Sequence, residues 1–95
     1  MLTETCTRTV TVTNVDGLHA RPCVAIVKTV SRHQANMTIQ KGTQSVNAGS
    51  VMDLLSLAAT QGTELVLSAT GAEAEEALAA VVGLFDGQPE LACCP

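Results

Sequence analysis

The sequence GLHARP at residues 17–22 marks the point where the pattern of the chain changes. Before it, residues 8–14 alternate between valine and polar side chains, which is typical of a half-buried β-strand. After it, apolar residues recur at helical spacing up to about residues 32–33. Pro22 places the helix start near His19, because proline is tolerated in a first turn, where its missing N–H would have no acceptor. The stretch therefore predicts a strand, a tight turn and a helix with His19 at or beside its N-cap.

A histidine at the start of a helix is a candidate for carrying a negatively charged group. The first N–H groups of a helix have no intrahelical acceptors and attract anions. Arg21 follows His19 by two residues, and its guanidinium can add a charge-assisted contact. This arrangement suits a phosphoryl group held on an imidazole nitrogen. The six residues alone also fit an ordinary capping or surface histidine.

The composition argues against several classes of function. The chain has 95 residues, enough for one small domain, and Phe85 is its only aromatic residue, so aliphatic side chains have to build the core. A net charge of −4 with five Lys or Arg residues argues against nucleic-acid binding. No stretch approaches the ~20 apolar residues of a membrane span, and the first residues do not resemble a secretory signal. We therefore expect a cytoplasmic protein without a nucleic-acid partner and without membrane insertion.

The four cysteines do not form a recognisable disulfide or metal pattern. They are Cys6, Cys23, Cys93 and Cys94. Without a secretory signal we expect free thiols rather than disulfide bonds. The adjacent pair near the C-terminus lacks a second pair of ligands at zinc spacing, and Cys23 has only His19 as a nearby candidate co-ligand. We predict no metal site and no cofactor, and interpret Cys23 as a small core residue.

The middle of the chain predicts a hairpin. Residues 35–40 alternate with Met37 and Ile39 facing inward. Lys41 and Gly42 form a turn signal, and residues 43–47 follow as a weaker strand.

Ser50 begins the second predicted helix, which runs to about Ala59. With Asp53, Ser50 forms a variant of the capping box, in which a first-turn N–H donates to the N-cap side chain. The core stripe of this helix is predicted to consist of Leu54, Leu57 and Ala58. Three further apolar residues fall outside that stripe and are candidates for exposure: Val51, Met52 and Leu55.

The last part of the chain predicts one more strand and one more helix. Residues 63–69 alternate, with Leu65 and Leu67 on one face. Residues 73–85 have helical spacing and begin with glutamates, which the helix dipole favours there. The buried stripe of this helix is predicted to consist of Leu78, Val81, Val82 and Phe85.

The element order is therefore βαββαβα. Amphipathic strands with helices between and after them predict an α+β fold, in which three helices cover one face of a four-stranded antiparallel sheet. The other face, rich in threonine, is left to water. We expect one domain over residues 1–95, with its core at about 8–86 and a loose tail at 87–95.

Several segments at matching spacing resemble the histidine-containing phosphocarrier (HPr) family of the phosphoenolpyruvate-dependent phosphotransferase system. They are GLHARP at 17–22, GSVM at 49–52 with LLSL at 54–57, and SATG at 68–71 before a helix with an acidic start. The resemblance covers about residues 8–86. It implies an open-faced β-sandwich, in agreement with the element order, and a carrier of phosphoryl groups rather than an enzyme that acts alone.

The resemblance also assigns roles to individual residues. It implies that His19 accepts a phosphoryl group on Nδ1, as pros-phosphohistidine, from Enzyme I and passes it to an Enzyme IIA domain. The backbone N–H of Ala20 and the guanidinium of Arg21 would stabilise the phosphoryl oxygens. We expect a monomer. The surface that meets both partners would consist of Val51, Met52 and Leu55.

Ser50 has two compatible interpretations. As an N-cap it stabilises the second helix by ~1 kcal/mol. The resemblance implies, in addition, a regulatory site for an HPr kinase/phosphorylase, whose phosphate would add roughly two negative charges. Asp53 stands where a glycine is common in the regulated relatives, and its carboxylate would oppose that phosphate. Three functions stay open: a sugar-transport carrier, a nitrogen-related carrier, and a mainly regulatory binding protein controlled through Ser50.

Overall fold

The computed structural model describes residues 5–13, 15 and 17–85. Within these residues the predicted order βαββαβα is confirmed. The strands are β1 (Thr5–Thr11), β2 (Asn36–Lys41), β3 (Gln44–Asn47) and β4 (Glu64–Thr70). The helices are α1 (Ala20–Ser31), α2 (Val51–Ser56) and α3 (Ala74–Phe85).

The strands form one antiparallel sheet in the order β1-β4-β2-β3. The register sets Val10 of β1 opposite Leu65 of β4, and Ile39 of β2 opposite Leu67 of β4. These four side chains are buried. The threonines of β1 point to the other face and are exposed. The sheet is therefore open to water on one face, as the alternating sequence predicts.

The three helices cover the apolar face of the sheet and share one core with it. Their buried residues are Cys23, Ile26 and Val30 from α1, Leu54 from α2, and Ala74, Ala77, Leu78, Val81 and Phe85 from α3. Val82 is only half-buried, so the predicted α3 stripe is wrong at that position. Burial raises the pKa of the Cys23 thiol, which keeps it neutral and fits its interpretation as a small core residue.

Strand β1 begins and ends earlier than the predicted 8–14. It begins at Thr5 because β4 extends to Thr70, which pairs with Thr5. It ends at Thr11 because the next residue, Val12, pairs with the turn before β4 instead. The Val12 N–H donates to the Thr63 carbonyl at 2.9 Å, and the Val12 carbonyl accepts from the Gly62 N–H at 2.8 Å.

Helix α2 is shorter than predicted and ends at Ser56, with Leu57 as its C-cap. Ala58 has a φ of 50°, which turns the chain out of the helix. Ala58 is therefore exposed, and Ala59 takes the buried position. The predicted core stripe is confirmed at Leu54 and Leu57 and wrong at Ala58, because helical spacing does not continue past a residue in the left-handed region.

Some of the predicted features lie outside the described residues. These are the end of the first strand at Asn14, the tail at 87–95, and the cysteines Cys93 and Cys94. In the described part of the chain, every helix is too short or too polar to cross a bilayer.

Ala58→Gly is expected to stabilise the protein. The left-handed region costs an alanine about 1–2 kcal/mol, whereas glycine adopts it freely. Glycine also raises the entropy of the unfolded chain, so the net gain in the free energy of unfolding should be about 0.5–1 kcal/mol. Urea titration measures this change. Ala79→Gly, on an exposed position of α3, is the control and should lose about 1 kcal/mol. A loss of stability in Ala58→Gly would contradict the interpretation.

Candidate functional site

His19 is the N-cap residue of α1, as the sequence predicts. Its backbone is extended, with φ −115° and ψ −165°, and its carbonyl accepts from the Cys23 N–H at 3.2 Å. The imidazole is half-buried and makes no capping hydrogen bond. No described residue hydrogen-bonds to either ring nitrogen, so the ring is presented to solvent without a partner from that part of the chain.

The other histidine has a structural role. His33 follows α1, and its Nδ1 lies 2.9 Å from the carbonyl oxygen of Thr29 in the last turn of the helix. The same carbonyl oxygen also accepts from the Arg32 N–H at 3.2 Å, so the His33 ring adds a second contact to a carbonyl of the last turn. His33 is therefore engaged at the C-terminus of α1, which agrees with its interpretation from the sequence.

The turn before α1 is held by the loop that follows α2. Gly17 has a φ of +72°, and a Cβ there would collide with the carbonyl oxygen of Ala59. Leu18 is buried, and its N–H donates to the same carbonyl oxygen at 2.9 Å. A glycine is needed at 17 for both the backbone angle and the close approach. His19 is thus the first residue after an anchored pair.

Two backbone N–H groups accompany His19 at the start of α1. Ala20 and Arg21 are the first two helical residues, and Pro22, the third, has no N–H. No described residue accepts from either N–H group, and the first turn contains no acidic side chain. The positive end of the helix dipole is therefore not neutralised within α1, and an anion bound beside His19 would be stabilised there.

Arg21 adds the only formal positive charge in the first turn of α1, and its side chain is exposed. In the described part of the chain the guanidinium has neither a hydrogen-bond acceptor nor a carboxylate partner. It can therefore turn toward a phosphoryl group without breaking another contact. A charged donor of this kind forms shorter and stronger hydrogen bonds to anionic oxygens than a neutral donor.

Ser50 caps α2, as the sequence predicts. Its Oγ accepts from the Asp53 N–H at 3.3 Å. In a full capping box the Asp53 carboxylate would accept from the backbone N–H of Ser50. Here it accepts instead from the Asn47 N–H at 3.3 Å. The carboxylate therefore fastens the start of α2 to the end of β3 and lies in the same turn as the half-buried Ser50.

The predicted partner-binding residues differ in exposure. Met52 is 75% exposed and Leu55 is 36% exposed, whereas Val51 is half-buried and packs against the core. Helix α1, which packs against α2, adds Val24 at 39% exposure. Val24 is not among the partner-binding residues predicted from the sequence. Its spacing of three residues from Arg21, which puts the two on one face of α1, was the available signal.

The turn that leads to His19 lies near the C-terminal end of α2, and Ser50 lies at the N-terminal end. The turn at 17–18 contacts Ala59, beyond the C-terminus of α2. Ser50 caps the N-terminus, about 10 Å away along the helix at ~1.5 Å per residue. Among the described residues, no three His, Cys, Asp or Glu side chains are arranged to hold a metal ion.

Comparisons with known proteins point to one family. A family model described as the PTS HPr component phosphorylation site matches residues 6–86. The phosphocarrier protein HPr of Xylella fastidiosa is 40% identical over 78 residues, covering 82% of this chain and 88% of that protein. The phosphocarrier protein NPr of Escherichia coli is 38% identical over 84 residues, covering 86% of this chain and 92% of that protein.

A solved structure shows the same architecture. The phosphocarrier protein HPr from Bacillus anthracis superposes with a TM-score of 0.81 at 34% identity, covering 86% of this chain and 98% of that one. The match in sequence and the match in fold each cover more than four fifths of the chain. The chain belongs to the HPr family of phosphocarrier proteins of the phosphotransferase system.

Proposed function

We propose that this protein accepts a phosphoryl group on His19 from Enzyme I and passes it to an Enzyme IIA domain. The observation that carries the proposal is the imidazole at the N-cap of α1, which has no partner among the described residues and stands beside two unengaged N–H groups. Membership of the HPr family supports a phosphocarrier role in the phosphotransferase system. We place this exchange in the cytoplasm, in keeping with that role.

Phosphoryl transfer requires little of the carrier beyond the correct position of its imidazole. A lone pair of a neutral imidazole nitrogen forms a P–N bond to phosphorus as the bond from phosphorus to the donor's leaving atom breaks. We assign the acceptor to Nδ1, the nitrogen that the resemblance to the HPr family implies. These N–H groups and the Arg21 guanidinium stabilise the charge that spreads over the phosphoryl oxygens.

The protein is proposed to act as a carrier and not as an enzyme in its own right. The described residues offer one nucleophilic imidazole at this site and place no second acid or base in hydrogen-bond contact with it. Turnover therefore requires groups supplied by the partner's active site. A carrier gains from this simplicity, since strong stabilisation of the phosphorylated state would slow the second transfer.

Both partners are proposed to bind the apolar surface of α2, formed by the exposed Met52 and Leu55 and the half-buried Val51. A flexible methionine adapts to more than one partner surface. Contacts that form and break quickly are small, below about 1,200 Å² in total. We propose that the protein is a monomer. An HPr dimer from Thermoanaerobacter tengcongensis shows that a relative can pair, so sedimentation in solution is the relevant measurement.

The sugar-uptake branch and the nitrogen-related branch are both candidates. The curated relatives include an HPr at 40% identity and an NPr at 38% identity, a difference too small to favour either one. The sugar-uptake role is our first proposal, and the nitrogen-related role is the alternative. Competition between the Enzyme I types of the two branches for one sample of the protein separates them.

Phosphorylation by Enzyme I tests the carrier proposal. With Enzyme I and radiolabelled phosphoenolpyruvate, the protein is expected to acquire a label that is stable in base and lost in acid. His19→Ala should abolish the label, and His33→Ala should keep it, since His33 is engaged with Thr29. Arg21→Ala should slow labelling by roughly 10-fold or more. An unlabelled wild-type protein, or a labelled His19→Ala variant, would show the proposal to be wrong.

Met52→Glu tests the partner surface. Because Met52 is 75% exposed, the substitution should leave the fold intact. The added charge should raise the KM for phosphoryl acceptance from Enzyme I about 10-fold, equivalent to ~1.4 kcal/mol of binding, with little change in kcat. Thr9→Glu adds the same charge to the open face of the sheet and serves as the control. Equal KM values for the two variants would remove Met52 from the surface.

Incubation with an HPr kinase/phosphorylase and ATP tests regulation at Ser50. We expect an acid-stable label that Ser50→Ala removes and that Ser56→Ala, on the same helix, retains. Asp53→Asn should increase the labelling rate, because the amide removes a like charge from the turn that receives the phosphate. The same label in Ser50→Ala as in the wild type would rule Ser50 out. This result would also remove the mainly regulatory alternative.

A further inference from the structure

The loop after α2 contacts the turn that presents His19 through the Ala59 carbonyl group. We propose that the exit turn, defined as residues 57–60, positions His19 for phosphoryl transfer, and that the Ala59 carbonyl is the positioning group. This inference rests on the proposed carrier function and goes beyond it, because Ala59 touches neither the imidazole nor the phosphoryl group.

The Ala59 carbonyl oxygen holds the His19 turn from two sides. It accepts from the Leu18 N–H at 2.9 Å, and it lies against Gly17 so closely that a Cβ at 17 would collide with it. Ala59 is 3% exposed and Leu18 is 8% exposed, so water has little access to this hydrogen bond. A bond shielded in this way is stronger than the same bond in water and restricts the turn accordingly.

The exit turn is itself held in place. The N–H of Ala58 donates to the Leu55 carbonyl at 3.1 Å, and φ at Ala58 is 50°, which sets the direction of the next peptide. Lys41 Nζ from β2 donates to the Leu57 carbonyl at 2.7 Å. On the other side, the Thr60 N–H donates to Thr63 Oγ1 at 3.2 Å. The Ala59 carbonyl therefore has a defined direction before it meets Leu18.

His19 depends on this anchor because no described residue holds its ring. The imidazole makes no capping hydrogen bond, so its place relative to the N–H groups of Ala20 and Arg21 follows from the backbone at 17–19. Phosphoryl transfer depends mainly on position, and a displacement of about 1 Å can cost up to 100-fold in rate. Loss of the anchor should therefore lower kcat, while the partner surface on α2, and with it KM, stays unchanged.

An amide-to-ester replacement at Leu18 removes the hydrogen bond to the Ala59 carbonyl. Chemical ligation of the full chain with the α-hydroxy analogue of leucine eliminates the N–H donor and keeps the side chain. The matched control is the same replacement at Ala48, which is 0% exposed and whose N–H donates to the Met37 carbonyl at 2.9 Å. Both esters lose one buried backbone hydrogen bond. We expect kcat with Enzyme I to fall about 10- to 100-fold in the Leu18 ester only.

A second pair of variants tests the same contact by adding a Cβ that would collide with the Ala59 carbonyl oxygen. Gly17→Ala and Gly42→Ala both force alanine into the left-handed region, at φ +72° and +60°. A Cβ at Gly42 has nothing within 4 Å, whereas one at Gly17 meets the Ala59 carbonyl. Gly17→Ala should therefore lower kcat and shift the ring ¹⁵N signals of His19 in the unphosphorylated protein. Gly42→Ala should change neither.

The outcomes separate this inference from the carrier proposal. A wild-type protein that Enzyme I does not label at His19 contradicts both. A labelled wild type whose Leu18 ester keeps the kcat and the ¹⁵N signals of the Ala48 ester overturns the positioning role and leaves the carrier role standing. If one variant of either pair does not fold, the other pair decides.

Discussion

Burial of one face of β4 is the constraint on which the rest of the structure depends. Leu65 and Leu67 are 0% exposed, and β4 pairs with β1 on one side and with β2 on the other. A shift of the register by one residue would turn both leucines into water, so the alternation of the sequence specifies the pairing. With one apolar face available, all three helices must pack on the same side of the sheet.

Because the helices pack on the same side of the sheet, α1 and α2 are in contact. The candidate site lies where the start of α1 meets the loop after α2. The proposed phosphoryl acceptor, His19, follows a turn, and the packed scaffold supplies its position, which is the usual division between loops and core. The parts are few: the His19 imidazole, the N–H groups that follow it, and the Arg21 guanidinium. None of them is committed to another described residue. A phosphoryl group accepted here, as we propose, could therefore also leave, which is what a phosphocarrier requires.

The features that depended on local chemistry could be predicted. Pro22 placed the start of α1, and Ser50 was recognised as a cap because a first-turn N–H needs an acceptor. One error arose where a distant segment decided the outcome, and another where the backbone turned out of a helix. β1 extends to Thr5 because its partner strand is long enough to pair with it. Ala58 leaves the core because it turns the chain, although its spacing from Leu54 fits a helix.

The sequence by itself determined the order of the elements, the inward face of each strand and the placement of His19 at a helix start. Periodicity and capping are local, and each can be recognised within a few residues. Only the tertiary structure decided that Gly17 and Leu18 meet Ala59. This contact joins backbone groups of segments far apart in the chain, and a carbonyl group is the same in every residue. No side-chain pattern predicts this contact, because the packing of the helices on the sheet decides which backbone groups meet.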